Sequence, residues 1–250
     1  KKYNVASVRP EIVDAETTSV ILNSNIRYDS KKTTKTADTI KSNVITAVTN
    51  YNTSTLQKFD GVFRYSKLVG LIDDVDDSVV SNITTVKVRK PFTPTLNSSA
   101  RYDIYFRNAF YNPHTGHNAD MGGILSSSGF KVSGNTNEMF LDDDGTGNVR
   151  RYYLDESGVK TYDNSTQGTI NYATGQITIN SLNVTSISNI RGSTSTVIEL
   201  TVIPNSNDIV PVRNTVVEID VSNSSFLVEQ DNFVGGGNDA GVGYTTATSY

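Results

Sequence analysis

The chain has 250 residues, which is enough for one or two domains, and it begins at Lys1 without an initiator Met, so we expect a fragment of a longer protein. Its net charge of −4 lacks the basic excess on which nucleic-acid affinity depends, so we expect no direct binding to DNA or RNA. The absence of Cys excludes disulfides and thiolate sites, and no apolar run approaches the ~20 residues that span a bilayer, so we expect no membrane insertion.

The first part of the chain contains three segments with the composition of strands. Residues 3–13 and 18–28 are rich in β-branched side chains and end in turn-like sequences. A third strand is predicted over 83–90. It stops before Pro91-Phe92-Thr93-Pro94, a sequence that marks a boundary because proline interrupts regular structure.

Between these strands the apolar residues recur at spacings of three and four, which predicts two helices. The first should run over about 38–52, with Asp38 as its N-cap, and its apolar face is Ile40, Val44, Ile45, Val48 and Tyr51. Ser66 should cap the second, whose apolar face is Leu68, Val69, Leu71, Ile72 and Val75. Residues 1–91 therefore predict a two-helix, three-strand α+β module with both helices on one face of a small sheet.

From residue 100 onward the helical spacing disappears and short strands recur. Hairpin-type turns are predicted at Asp144-Gly145, Ser157-Gly158, Gln167-Gly168 and Thr174-Gly175. Many short strands with turns between them favour an antiparallel sandwich or a barrel-like sheet. The predicted strands are 101–106, 129–132, 138–141, 149–154, 159–162, 168–171, 176–179, 182–187, 196–202, 209–212 and 215–221.

The fold class predicted for the whole chain is α+β with three parts. The α+β module occupies 1–91, a mainly antiparallel β domain occupies 92–222, and a Gly-, Ser- and Thr-rich tail occupies 223–250. Gly235, Gly236 and Gly237 lie in this last segment, where backbone entropy opposes a stable element in the absence of a partner.

Several sequence strings, taken in this order, resemble the baseplate wedge proteins of T-even-like contractile-tail phages. This family is related to the baseplate J-like proteins, and the resemblance is to its C-terminal portion. The strings are Arg9-Pro10-Glu11-Ile12-Val13, Arg27-Tyr28-Asp29, Val44-Ile45-Thr46-Ala47-Val48-Thr49-Asn50-Tyr51, Phe63-Arg64-Tyr65-Ser66-Lys67-Leu68-Val69-Gly70-Leu71-Ile72-Asp73, Gly168-Thr169-Ile170-Asn171-Tyr172-Ala173-Thr174-Gly175 and Ile203-Pro204-Asn205-Ser206-Asn207-Asp208-Ile209.

The resemblance implies a structural role in the virion, with no catalysis and no cofactor. In such proteins the C-terminal region makes homodimer contacts, the subunits join into a ring around the central hub, and other wedge subunits bind to the same protein. The expected location is the tail baseplate of the virion, with assembly in the host cytoplasm.

Three polar motifs have both a functional and a structural interpretation. Asp142-Asp143-Asp144-Gly145 begins like a calcium loop, but Tyr153 stands where an EF-hand needs its twelfth-position carboxylate, so the sequence favours an acidic hairpin turn over a calcium site of another type. His114, His117 and Asp120 have metal-ligand chemistry, but the Pro, Gly and Asn residues around them favour an exposed loop. The acidic residues at the end of the second helix favour a solvated terminus over glycosidase carboxylates: Asp73, Asp74, Asp76 and Asp77.

An aromatic cluster after residue 100 predicts an interface with another protein. Interface cores favour Tyr, Phe and Arg, although half of such a strand normally faces the core of its own chain. The members of this cluster are Tyr102, Tyr105, Phe106, Arg107, Phe110 and Tyr111.

An alternative function is that of a β-rich surface adhesin or carbohydrate-binding module of a virion. The high content of Ser, Thr, Asn and Tyr favours this function, and the absence of Trp opposes it. A virus-encoded hydrolase is a third class, for which no catalytic motif is present.

Overall fold

The computed structural model describes residues 16–113, 123–211 and 215–231. Its two α-helices, α1 (Ala37–Tyr51) and α2 (Tyr65–Asp73), lie between strands β1 and β2, and a π-helical turn (Asn52–Leu56) extends α1. A 3-10 turn (Val221–Asn223) precedes the last strand. The strands are β1 (Glu16–Tyr28), β2 (Val79–Phe92), β3 (Ala100–Tyr105), β4 (Ser126–Ser127), β5 (Phe130–Val132), β6 (Met139–Asp143), β7 (Asn148–Leu154), β8 (Lys160–Asn171), β9 (Gln176–Leu182), β10 (Val184–Ile187), β11 (Ile198–Val202), β12 (Thr215–Ile219) and β13 (Ser225–Gln230).

The described strands form one mostly antiparallel sheet. Its main path runs β12-β1-β2-β11-β4-β6-β7-β8-β9-β3, with β5, β10 and β13 attached beside it. Strand β1 pairs in parallel with β12 and with β13, and both pairings join the two ends of the described chain. The described residues are mainly β, with two helices and a large, mostly antiparallel sheet, and the predicted combination of helices and antiparallel strands is confirmed at this level only. The predicted strand 3–13 and the residues His114, His117, Asp120 and Gly235 to Gly237 lie outside the described residues.

Both helices occur where the apolar spacing predicted them, but their N-caps differ from the prediction. The side chain of Thr36, not Asp38, caps α1 by accepting from the backbone nitrogen of Thr39. Helix α2 begins at Tyr65, so Ser66 is not its cap. The backbone nitrogen of Tyr65 instead donates to the carboxylate of Asp208 at 2.8 Å, and Arg64 forms an ion pair with the same carboxylate at 2.8 Å. Sequence alone could not indicate a cap that lies more than 140 residues away.

Residues 225–230 form strand β13, so the prediction that the tail begins at residue 223 was wrong for this segment. The strand pairs with residues 23–28 of β1 and buries Phe226 and Val228, while Leu227 points outward. Alternation of buried and exposed residues is the usual signature of a half-buried strand. The apolar side chains and the pairing with β1 together stabilise this strand.

The Gln167-Gly168 turn was also a wrong prediction, because both residues lie inside β8. The strand continues from 160 to 171 and absorbs the two predicted strands 159–162 and 168–171, with irregular pairing to β7 in between. A Cβ at Gly168 would lie 1.9 Å from the carbonyl oxygen of Thr178, so Gly is required here for close approach to β9. The turns at Gly145, Gly158 and Gly175 are confirmed, and all three glycines have positive φ.

Strand β2 continues through the predicted boundary at Pro91. Residues 88–92 of β2 pair with β11, while the pairing of β2 with β1 ends at Arg89. Proline has no backbone N–H to donate to a neighbouring strand. Pro91 is tolerated in β2 because no β1 residue pairs with β2 at that position. The sheet is therefore continuous through Pro91, and a division into domains at 91/92 stays a prediction.

Two of the polar contacts that hold the last described strands to the rest of the chain are largely buried. The buried side chain of Asn52 donates to the carbonyl of Ile219 at 3.1 Å and accepts from the nitrogen of Ile219 at 2.8 Å. Arg89 forms a largely buried ion pair with Asp220, and it lies 3.5 Å from Glu199 of β11. These contacts fix the position of β12 and of the turn that leads to β13.

The Asn52 contact generates the first prediction. Asn52→Ala leaves both backbone groups of Ile219 without a partner in a buried place, so we expect a loss of about 2–3 kcal/mol in the free energy of unfolding. The control Asn50→Ala, at an exposed position of the same helix, should change it by less than about 0.5 kcal/mol. Urea denaturation of the two variants measures this difference, and equal effects would refute the role of Asn52.

The Asp220 ion pair generates the second prediction. Burial alone would raise the pKa of Asp220, but hydrogen bonds from Ser222 and Asn223 and the charge of Arg89 outweigh it and lower the pKa to about 2. A lowered pKa stabilises the folded state above the unfolded pKa of about 4, and this contribution is lost as the pH falls towards 2. We expect Asp220→Asn to remove about 1 kcal/mol of this pH dependence, after allowance for solvent screening. Urea denaturation at pH 7, 4 and 2.5 measures the free energy of unfolding of both proteins. If Asp220 does not contribute, the difference between the two proteins is the same at every pH.

Candidate interaction surfaces

The predicted aromatic cluster divides between the core and the surface. Phe106 and Phe110 are buried and pack edge to face, with ring centroids 5.2 Å apart. Tyr102 packs on Phe92 at 5.1 Å, and Tyr111 is half-buried against the core. Tyr105 and Arg107, which flank the inward-pointing Phe106 in the sequence, are exposed. Phe106 and Phe110 are therefore core residues of this chain, and only the exposed part of the cluster is available to a partner.

The acidic sequence at 142–144 spans the end of β6 and the start of the hairpin turn to β7, and its carboxylates accept hydrogen bonds from donors of the chain itself. Asp142 is buried and receives hydrogen bonds from Arg150, Lys160 and Tyr162 at 2.9 to 3.2 Å. Asp143 is also buried and accepts from the nitrogen of Leu125 at 2.8 Å and from the hydroxyl of Tyr172 at 2.6 Å. This arrangement is the one that the hairpin-turn interpretation predicts.

Asp144 closes the turn between β6 and β7. Its carboxylate accepts from the backbone nitrogens of Thr146 and Asn148 and from the side-chain amide of Asn148. Burial would raise the pKa of Asp144, but these hydrogen bonds lower it to about 2. Within 16–113, 123–211 and 215–231, no three His, Cys, Asp or Glu side chains form a group that could hold a metal ion.

The four Asp residues near the end of α2 lie at the surface, in different environments. Asp76 accepts from Lys35 at 2.6 Å, and hydrogen bonds from Lys35 and Ser78 lower its pKa to about 2. Asp73, Asp74 and Asp77 are exposed. For Asp73, burial raises the pKa, a hydrogen bond with Asn82 lowers it, and the charge of Asp74 raises it, with a net upward shift. The result is an acidic, solvated helix terminus.

A surface that the sequence prediction missed lies on the outer face of β6, β7 and β8. Phe140 pairs across the strands with Tyr152, and Tyr152 pairs with Tyr162, so three aromatic rings form a row. The ring centroids are 5.7 Å and 5.9 Å apart. We call this surface the cation–aromatic face and define it by Phe140, Asp142, Arg150, Tyr152, Lys160 and Tyr162.

Two cations cover the tyrosine rings of this face. Lys160 lies 4.3 Å from the centroid of Tyr152, and Arg150 lies 4.3 Å from the centroid of Tyr162. Burial lowers the pKa of Lys160, but the hydrogen bond and charge of Asp142 outweigh it and raise the pKa, so Lys160 stays protonated. Arg150, Tyr152 and Leu154 alternate before the Ser157-Gly158 turn, and Lys160 and Tyr162 alternate after it. This pattern could have revealed the face, because the turn fixes the register.

A second surface is the face of β13, β1 and β2 that the helices leave uncovered. Helix α1 contacts β13 and helix α2 contacts β2 on the side where alternate residues, such as Leu22 and Ile26, are buried. On the opposite side, Asn25 lies between Ile83 and Leu227, whose exposed fractions are 66% and 48%. We call this surface the open sheet face. Ile83 and Leu227 are thus exposed aliphatic side chains on either side of the polar Asn25.

Comparison with known proteins matches the helical part of the chain to a baseplate domain. Residues 16–91 match the family model described as baseplate structural protein gp6, C-terminal domain III, and this range begins with β1 and ends within β2. Over 118 residues, or 46% of the chain, the sequence is 25% identical to the baseplate wedge protein gp6 of Enterobacteria phage T4. The match spans 18% of the length of that relative.

Both matches are to structural proteins of the phage tail baseplate, so this is the class of protein to which the chain is similar. Within that class the chain resembles the C-terminal portion of the gp6-like baseplate wedge proteins, so the resemblance predicted from the sequence strings is confirmed. Among the helices that the structure describes, none is both long enough and apolar enough to cross a membrane.

The buried carboxylate of Asp142 generates the third prediction. Asp142→Ala removes the partner that Arg150, Lys160 and Tyr162 share, so we expect a loss of about 3 kcal/mol in the free energy of unfolding. The control Asp60→Ala, at an exposed position, should cost less than about 0.5 kcal/mol. Urea denaturation measures both, and a shift in the near-ultraviolet tyrosine signal of Asp142→Ala should accompany the loss. An Asp142→Ala protein as stable as the control would contradict the role of this carboxylate.

Proposed function

We propose that the chain is a structural subunit of a contractile-tail baseplate wedge, which forms homodimeric and ring contacts around the central hub and binds other wedge subunits. The observation that carries this proposal is the match of residues 16–91 to domain III of a baseplate structural protein. The protein then acts through the shape and chemistry of its surfaces, without a catalytic step and without a cofactor.

The open sheet face supports the proposal of protein contacts. Ile83 and Leu227 are aliphatic side chains that a neighbouring chain would remove from water, and each buried side chain of this kind contributes about 1.5–3 kcal/mol. The polar residues beside them, including the Arg27–Glu229 ion pair, resemble the rim of an interface. This face lies within and beside the matched domain, which makes it the first surface to test.

The exposed part of the aromatic cluster is a second proposed contact. Tyr105 is 46% exposed, and Arg107 follows it with its side chain in solvent. Tyr and Arg are enriched among the residues that dominate binding energy. We propose that these two residues, supported by the half-buried Tyr102 and Tyr111, contact another wedge subunit. In this arrangement 16–91 and the β-rich part after it offer separate surfaces to different neighbours.

The alternative of a carbohydrate-binding module would use exposed aromatic rings as platforms for sugars. The row formed by Tyr152 and Tyr162 is the obvious candidate for such a platform. Each of these rings has one face covered by a cation at 4.3 Å, which removes that face from stacking with a sugar. The arrangement therefore favours a contact with a protein.

The fourth prediction tests self-association through the open sheet face. Ile83→Asp places a charge among residues that would be desolvated, so we expect it to weaken association by about tenfold or more. The control Phe59→Asp changes a residue of similar exposure, 64%, that lies outside this face. Sedimentation velocity over a concentration series measures association of the chain. Electron microscopy of the full-length protein assembled with the other wedge subunits measures ring formation. A wild-type protein that stays monomeric and enters no particle would refute the proposed function.

A further inference from the structure

Arg107 differs from the other described arginines because no carboxylate of a described residue is paired with it. The structure describes eight arginines, and seven of them form an ion pair with an Asp or Glu. These seven are Arg27, Arg64, Arg89, Arg101, Arg150, Arg151 and Arg191. Arg107 is exposed and forms no ion pair within the described ranges. Its guanidinium is therefore open to a carboxylate of another molecule.

The segments around Arg107 contain no acidic residue. Residues 104–113, which include Arg107, have no Asp or Glu. Two further segments, 171–176 and 203–207, form backbone hydrogen bonds with this one, and they too have no Asp or Glu. An ion pair needs its charged atoms within about 4 Å of each other, so a carboxylate for Arg107 has to come from outside these segments.

The backbone that carries Arg107 is held in place on its N-terminal side. The carbonyl oxygen of Tyr105 accepts a hydrogen bond from the ammonium of Lys90 at 2.6 Å. The backbone nitrogen of Phe106 donates to the carbonyl oxygen of Gly175 at 2.8 Å, and the ring of Phe106 is buried in the core. A side chain on a backbone that is already ordered loses less conformational freedom when a partner binds.

Arg107 also has an unusual backbone conformation. Its φ is +60°, in the left-handed region that residues other than Gly rarely adopt. Residues held in this region cost free energy and are found preferentially at functional sites. Arg191 is the other described arginine with a positive φ, 52°, and its guanidinium lies 2.7 Å from the carboxylate of Glu199. The left-handed conformation therefore does not by itself leave an arginine without an acidic partner.

Tyr105 adds apolar area beside this cation. Its side chain is 46% exposed, and Phe106, which separates it from Arg107 in the sequence, points inward. Tyr and Arg are the residue types that most often dominate the binding energy of an interface. In a two-fold contact of this surface with itself, one guanidinium would meet another, and like charges placed opposite each other reduce affinity. A partner with a different, acidic surface fits better.

We propose that Arg107 is the residue through which another wedge subunit is held, by a carboxylate of that subunit. The planar guanidinium matches a carboxylate through two parallel hydrogen bonds, and an apolar side chain of the same subunit covers Tyr105. The net charge of −4 opposes a nucleic acid as the source of the anion. This inference rests on the proposed function, because it names the residue and the chemical group that form one of its contacts.

The fifth prediction replaces the guanidinium by an amine that can be joined to its partner. Arg107→Lys is assembled with the other wedge subunits in the full-length protein and treated with a carbodiimide. The reagent activates a carboxylate that lies against the amine. An amide then forms, and the carbodiimide takes up the elements of water and becomes a urea. We expect an amide between this position and an Asp or Glu of another wedge subunit, which peptide mass spectrometry identifies and which the wild-type protein lacks.

Arg191→Lys is the matched control for this reaction. Arg191 shares the left-handed conformation and the exposure of Arg107, but its acidic partner is Glu199 of the same chain. The control should therefore give an amide to Glu199 within the chain. For Arg107→Lys, an amide within its own chain, an amide to a second copy of the chain, or no amide at this position overturns the proposal.

A second variant separates binding from folding. Arg107→Asn removes the guanidinium, and Asn tolerates the left-handed conformation better than most residues do, so the midpoint of urea denaturation should not fall. Affinity for the other wedge subunits, measured by sedimentation velocity of the full-length protein in a titration, should fall by about tenfold or more. Arg191→Asn should leave this affinity unchanged. Equal affinities of the two Asn variants would contradict the role of Arg107.

The failure of this inference differs from the failure of the proposed function. If the full-length Arg107→Asn protein enters particles with the affinity of the wild type, Arg107 does not hold a subunit and the proposed function stands. If the wild-type protein enters no particle with the other wedge subunits, the proposed function is wrong, whatever the carbodiimide reaction shows.

Discussion

The pairing of β1 with β12 and β13 is the interaction on which the rest of the described fold depends. These strands are about 200 residues apart in sequence, as the contact between Ser19 and Glu218 shows, yet they run in parallel and share the sheet with β2. Parallel strands require a crossover connection, and here the crossover contains both helices and the whole β-rich part. The free energy of closing so long a loop is only slightly higher than that of closing a shorter one, because the entropic cost of loop closure grows with the logarithm of the loop length. The buried polar contacts of Asn52 and Arg89 then fix where the returning segment lies.

The sequence could predict the elements that depend on local spacing. The helical period before residue 75 and the Gly residues at 145, 158 and 175 have local causes, and the structure agrees with them. The errors have nonlocal causes. Asp208 caps α2 from a distant loop, and Gly168 is needed for the approach of β9 instead of for a turn. Strand β13 was hidden by the Gly-rich sequence that follows it, although the alternation of Phe226 and Val228 was visible.

The candidate surfaces were harder to predict than the fold, because an aromatic side chain serves equally well in a core and in an interface. Phe106 and Phe110 follow Tyr105 in sequence, and only the positions of neighbouring segments decide that they point inward. The cation–aromatic face is the opposite case. Its residues are scattered over three strands, and they become one surface only through the register that brings Phe140, Tyr152 and Tyr162 into a row. A surface made by register becomes visible in the sequence only when a predicted turn, here Ser157-Gly158, is used to place two strands side by side.

The buried carboxylates explain why this surface can be both charged and rigid. A buried ion pair often contributes little net stability, because desolvation offsets the attraction, but removal of one partner is costly. Asp142 therefore acts mainly as a constraint: a slip of β6 against β7 would separate it from Arg150, and a slip of β8 against β7 would separate it from Lys160 and Tyr162. The constraint holds the cations above the tyrosine rings and keeps Lys160 partly in solvent. A protein that works through its surfaces benefits from this arrangement, because the polar contacts that specify the strand register also set the geometry of the face.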